Sequence, residues 1–115
     1  MKNIIYHNTN WSKSRKSVEI LKNEGVDFEI IQYIKSPPSV EELKNICKKL
    51  NLKANQIIRK TEKDFKDNNI SETIDNETAL LSKMNQFPKI IERPIIIIGE
   101  KAVIGRPPEN IFNIL

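Results

Sequence analysis

Residues 94–104 read Pro94-Ile95-Ile96-Ile97-Ile98-Gly99-Glu100-Lys101-Ala102-Val103-Ile104. Two short β-prone runs on either side of a two-residue, glycine-containing turn predict a β-hairpin. Pro107-Pro108 follows closely, and a proline in a first helical turn loses no helix hydrogen bond. A final short helix is therefore expected over Glu109–Leu115, with Ile111, Phe112 and Leu115 as its apolar side. The C-terminal third thus reads β-β-α.

The N-terminal third supplies the complementary half. Ile4, Ile5 and Tyr6 within Asn3–His7 suit a buried strand. A polar loop, Asn8-Thr9-Asn10-Trp11-Ser12, leads to a helix expected from about Lys13 to Glu24. Ser12 is its candidate N-cap, and Val18, Leu21 and Ser14 or Ser17 share its inner face. Gly25 is placed to end it in a left-handed C-cap. Phe28–Tyr33 reads as a second strand. A strand, a helix and a strand within about 30 residues form a βαβ unit, which makes the two strands parallel.

The middle is helical. After Ser36-Pro37-Pro38, Ser39-Val40-Glu41-Glu42 is a capping box. Leu43, Ile46, Cys47 and Leu50 then recur at i, i+3, i+4 and i+7. Ala54, Ile57 and Ile58 suggest a short helix closing at Arg59. Residues 60–75 are mostly polar, with Phe65 and Ile70 as anchors. A helix over Asn76–Gln86 would turn Ala79, Leu80, Leu81 and Met84 inward before Phe87-Pro88 stops it. The whole order, β-α-β, a helical stretch, then β-β-α, is an α/β thioredoxin-like arrangement. It predicts one domain over residues 1–115 with a helical insertion from about 36 to 88.

Composition narrows the function. The chain has 115 residues, 38% apolar and 30% charged, which suits one globular domain. One Cys excludes an internal disulfide and a Cys-based zinc site, and the lone His7 leaves a metal too few soft ligands. No metal and no bound cofactor are expected. The longest apolar run, Ile95–Ile98, is far too short to cross a membrane. Met1-Lys2-Asn3-Ile4-Ile5-Tyr6-His7 reads as a strand and not as a signal peptide, so the expected compartment is the cytoplasm. Residues 1–60 carry a net charge of +6 and residues 61–115 a net −2. The lysines are scattered over helix faces without interleaved aromatics, a pattern of solvated surface and not of nucleic-acid binding. Of the 19 basic residues, 15 are Lys and four are Arg: Arg15, Arg59, Arg93 and Arg106. A chain that meets its general need for positive charge with Lys makes each Arg informative, because only Arg binds an oxyanion with a planar fork.

In open α/β sheets the site lies beyond the carboxyl end of a strand, at the start of the next helix. Here that is the loop His7–Ser12 with the first turn Lys13–Arg15. A helix N-terminus suits an anion or a thiolate, and Ser12, Ser14 and Arg15 would add donors. His7 is a candidate to bond the loop or an anion, or simply to close the strand end. Arg15 either contacts an anion or caps and pairs within its helix. Arg93 precedes Pro94, an X-Pro step that in thioredoxin-like folds is commonly cis and lies against the active loop. Arg106 ends the fourth strand before another proline, and Arg59 ends an element of the insertion. Three arginines at element ends are candidates to converge on one oxyanion.

At this point the chain resembles the glutaredoxin- or glutathione-coupled arsenate reductases, the ArsC family. The resemblance spans essentially the whole sequence. It is carried by Ile5-Tyr6-His7-Asn8, Ser14-Arg15, Tyr33-Ile34-Lys35-Ser36-Pro37-Pro38, Ile58-Arg59-Lys60, Ile91-Glu92-Arg93-Pro94-Ile95 and Gly105-Arg106-Pro107. It implies that Arg59, Arg93 and Arg106 bind the oxyanion, and that His7, Asn8, Ser12, Ser14 and Arg15 form the active loop. It also implies a Cys thiolate at the first helix that attacks arsenate. Glutathione and then glutaredoxin act as co-substrates, and arsenite leaves. The family's His-Asn-x-x-Cys is His7-Asn8-Thr9-Asn10-Trp11 in this chain. Indole cannot attack arsenic, the neighbouring Ser12 cannot undergo thiol redox chemistry, and Cys47 falls on the apolar stripe of the insertion.

The resemblance therefore implies a monomeric homologue that binds arsenate, phosphate or sulfate with its redox step impaired, and that meets glutaredoxin or another protein. Trp11 would either fill the pocket or present a contact surface. Two other readings stay open. One is an active reductase in which a partner's thiol or glutathione attacks the bound oxyanion directly. The other is a regulator similar to the Spx-like branch of the fold, which binds RNA polymerase, although that branch carries Cys-x-x-Cys near the first helix and this chain has none.

Overall fold

The computed structural model describes residues 3–115. Met1 and Lys2, read above with Asn3–His7 as strand and not as signal peptide, lie outside the described residues. Strands β1 (Ile4–His7), β2 (Glu29–Gln32), β3 (Ile95–Ile98) and β4 (Lys101–Ile104) form one mixed sheet in the order β2-β1-β3-β4. β1 and β2 are parallel, with Ile5 opposite Ile30, as a βαβ unit requires. β3 runs antiparallel to both β1 and β4, and Gly99 turns the hairpin at a φ of +61°.

The chain divides into two compact units. The first joins the chain up to Ser36 with Arg93–Leu115. Its core gathers Ile5 and Ile96 from paired strands, Ile20 and Leu21 from helix α1 (Ser12–Asn23), and Ile111 and Ile114 from the C-terminal segment. Helix α1 ends as the glycine predicts. Gly25 sits at φ +69°, and its N–H and that of Val26 return to the carbonyls of Lys22 and Leu21. That pair of bonds is a Schellman closure.

Two expectations about these helices are corrected. Ser12 is not the N-cap; it is the first helical residue, and Trp11 occupies the cap without a side-chain bond. Asn8 does the closing instead. Its Oδ1 accepts the Asn10 N–H and its carbonyl accepts the Trp11 N–H, which leaves the Trp11 carbonyl to take the first helical bond from Arg15. The C-terminal segment is a 3₁₀-helix, Pro108–Asn113, and its buried pair is Ile111 and Ile114, with Phe112 and Leu115 exposed. Residues at i and i+3 eclipse at three residues per turn, so the inward stripe skips Phe112.

The second unit is Pro37–Glu92. Helix α2 (Val40–Leu50) opens on the complete Ser39/Glu42 capping box, worth about 1 kcal/mol, and buries Leu43, Ile46 and Cys47. It packs against α4 (Glu77–Gln86), which buries Leu80, Leu81 and Met84. Between them lie the short α3 (Lys63–Asp67) and two 3₁₀ turns, anchored by buried Phe65 and Ile70. Arg59 does not end a helix, as the sequence suggested. The 3₁₀ turn stops at Gln56, and Ile58 forms an antiparallel bridge with Ile91. The Arg59 N–H bonds the Ile90 carbonyl at 2.7 Å, and the Glu92 N–H bonds the Ile57 carbonyl at 2.8 Å. This bridge is why the unit runs on past Pro88 to Glu92.

Candidate functional site

The loop between β1 and α1, the expected active loop, is built around Ser14. Its hydroxyl is fully buried on the first turn of α1, accepts the Asn8 N–H at 3.1 Å and lies 2.5 Å from His7 Nδ1. His7 is itself buried at the end of β1. Burial and then the positive charge of Arg15 push its pKa below the ordinary histidine value. A neutral ring accepting the Ser14 proton at Nδ1 uses both the donor and an acceptor site of that hydroxyl. His7 therefore closes the strand end as a neutral hydrogen-bonding group.

Because the folded-state pKa lies below the unfolded value near 6.5, the unfolded chain takes up a proton the native chain refuses. Stability contributed at neutral pH is lost as pH falls through the window between 6.5 and the lowered value. Denaturant midpoints measured from pH 7.5 to 5 will fall with acid, and His7→Gln will flatten that slope.

Arg15 is exposed and donates from Nη1 to the Thr9 carbonyl at 2.9 Å, so it braces the loop. Ser12 stands exposed in the first turn. Trp11 lays its indole on Arg93, whose guanidinium carbon is 3.1 Å from the ring centroid. Arg93 is only 3% exposed while Trp11 is 40% exposed. A guanidinium stacked by its face keeps its N–H groups directed outward in its plane.

The two Arg-Pro steps of this unit are neighbours. Arg93–Pro94 and Arg106–Pro107 are both cis. The Gly105 N–H bonds the Pro94 carbonyl at 2.8 Å, which holds the end of β4 beside the entrance to β3. Gly105, read above only as part of the Gly105-Arg106-Pro107 match, proves to be a close-packed position. A Cβ there would lie 2.7 Å from Ser17 Oγ and 2.9 Å from both Ile96 Cδ1 and Pro94 Cγ. Its signal was its place directly before Arg106-Pro107. The Arg106 side chain is exposed, and its carbonyl accepts from Asn110 Nδ2.

Arg59 belongs to the second unit, where Glu62 (3.3 Å) and Glu92 (3.4 Å) each pair with its guanidinium. Glu62 was legible as an i, i+3 partner; Glu92 has no local signal. Cys47, in the same unit, is buried, and burial followed by the charge of Glu77 pushes its thiol up to about 11. It stays protonated and inert at neutral pH. Among the described residues no group of three or more His, Cys, Asp or Glu side chains gathers to hold a metal.

A sheet of order β2-β1-β3-β4, with β1 and β2 parallel and β3 antiparallel to both β1 and β4, defines the thioredoxin-like class. The chain belongs to the ArsC family, whose sequence pattern matches residues 6–114. It is 39% identical to an arsenate reductase of Haemophilus influenzae over 113 residues, 97% of each chain. It is 38% identical to the uncharacterized protein YfgD of Escherichia coli over 112 residues, 96% of this chain and 94% of that one. The structure of an arsenate reductase from Vibrio cholerae superposes with a TM-score of 0.93 at 39% identity, covering 100% of this chain and 98% of the other. No helix among the described residues is long and apolar enough to cross a membrane.

Proposed function

We propose that this chain is an oxyanion-binding member of the ArsC family in which the thiol step of arsenate reduction is impaired. One observation supports the reading: the Trp11 indole, at the position where the family resemblance implies the nucleophile, lies over Arg93. No sulfur stands there, and the chain's single thiol is buried with its pKa raised to about 11. The anion is a tetrahedral one such as arsenate, phosphate or sulfate. The arginine forks of Arg93 and Arg106 hold it, with Arg59 added from the family resemblance of Ile58-Arg59-Lys60. The arsenate reductases among its relatives support arsenate as the first anion to test. Glutathione and glutaredoxin are the co-substrates of any residual activity.

Two measurements test this. Arsenate turnover with glutathione and glutaredoxin should not exceed the protein-free background for the native chain or for Cys47→Ser. Turnover by the native chain that survives Cys47→Ser overturns the impaired reading. Calorimetric titration should detect binding of at least one of the three anions, weakened about tenfold by Arg106→Ala, the loss of one charge-assisted contact. A native chain that binds none of them removes the oxyanion reading.

A further inference from the structure

We propose that Asn110 is a positioning residue for the anion: its side-chain amide clamps the backbone on both sides of Gly105 and so sets where Arg106 stands; this rests on the oxyanion reading above. The Arg106 side chain is exposed, so its reach toward an anion follows from the place of its backbone. Asn110 fixes that backbone. Its Nδ2 donates to the Ile104 carbonyl at 3.1 Å and to the Arg106 carbonyl at 3.3 Å. An amide nitrogen carries two hydrogens, so one group can bond both carbonyls. The Asn110 backbone N–H also bonds the Pro107 carbonyl at 3.0 Å, and the Arg106 N–H turns back to the Ile104 carbonyl at 2.9 Å.

Both ends of this arrangement are anchored. Asn110 directly precedes Ile111 in the C-terminal 3₁₀-helix, and Ile111 is fully buried in the core with Ile20, Leu21 and Ile96. On the other side, the Gly105 N–H bonds the Pro94 carbonyl at 2.8 Å. The turn is therefore held to the core through Asn110 and to the Arg93–Pro94 step through Gly105. Asn110 keeps Arg106 in place relative to Arg93, the two arginines of this unit assigned to the anion above. It acts through Arg106, so its effect on affinity is bounded by what Arg106 itself contributes.

Asn110→Ala removes both donors, and Asn110→Leu removes them while keeping a side chain of similar size, should the alanine variant fail to fold. Arsenate, phosphate and sulfate would be titrated calorimetrically into the native protein, both variants, Arg106→Ala and an Asn110→Ala, Arg106→Ala double variant. Thermal melts check the fold of each. The clamp predicts that Asn110→Ala and Asn110→Leu bind about threefold to tenfold more weakly than the native protein, and no more weakly than Arg106→Ala. Because Asn110 acts through Arg106, the double variant should bind as Arg106→Ala alone does. A general loosening of the fold would instead weaken binding by the same factor with or without Arg106. Native affinity in a folded Asn110 variant, or additive losses in the double variant, overturns the clamp while leaving the oxyanion reading intact. A native protein that binds none of the three anions overturns both.

Discussion

Trp11→Cys will convert the chain into a measurable arsenate reductase, with turnover roughly 100-fold above that of the native protein, a change worth about 2.7 kcal/mol of barrier. The substitution places a thiol at the cap of a 12-residue helix, where the unpaired first-turn N–H groups and the helix dipole favour a thiolate. Arg15 adds positive charge beside the loop, and removal of the indole opens one face of Arg93. The sulfur can then displace an arsenate oxygen, which leaves as water. Attack by glutathione takes two electrons from the two thiols to arsenic, releasing arsenite and a protein–glutathione disulfide that glutaredoxin reduces. The introduced thiol should titrate below the ordinary value near 8.5. A Trp11→Cys protein that melts like the native one, shows that lowered thiol pKa and still turns over no arsenate would show that more than the thiol is missing.

Gly105→Ala will cost about 2 kcal/mol and lower the melting temperature by roughly 8 °C, although it adds a single methyl group. Three side-chain atoms stand within 2.9 Å of the new atom, Ser17 Oγ, the Ile96 Cδ1 methyl and the Pro94 ring carbon Cγ. Ser17 Oγ is held by the Lys13 carbonyl at 2.8 Å, Pro94 is a closed ring, and Ile96 lies in the core between β1 and β4. Ile96 Cδ1 and Ser17 Oγ can yield only by rotating into a packed core, and the Pro94 ring yields only if β4 moves away from β3. A shift of β4 also displaces Arg106 from the Arg93–Pro94 step, so anion affinity should fall together with stability. A Gly105→Ala protein with native melting and native anion binding would rule out this close approach.

Much of the fold was legible because its signals are local. The Ser39/Glu42 box, the Gly25 closure and the Gly99 turn each depend on a few adjacent residues, and each formed where the sequence placed it. The errors arose where a distant partner or a different helical period decided the outcome. Ile58 reads as a helical residue until Ile91 pairs with it. Phe112 reads as inward until the segment adopts three residues per turn. Ser12 is a better N-cap by type than Trp11, but Asn8 had already closed the loop.

The candidate site divides in the same way. Sequence by itself determined which chemical groups exist: one histidine, one cysteine in the helical insertion, four arginines beside 15 lysines, and a single tryptophan in the loop after β1. It also determined the element order that brings a loop and a helix N-terminus to the end of β1. Only the tertiary structure decided what those groups do to one another. It made His7 a neutral partner of Ser14, assigned Arg59 to Glu62 and Glu92, and laid Trp11 on Arg93. Chemical identity is a property of each residue alone. Burial, protonation and stacking depend on which distant segments meet, and a linear pattern does not encode that directly.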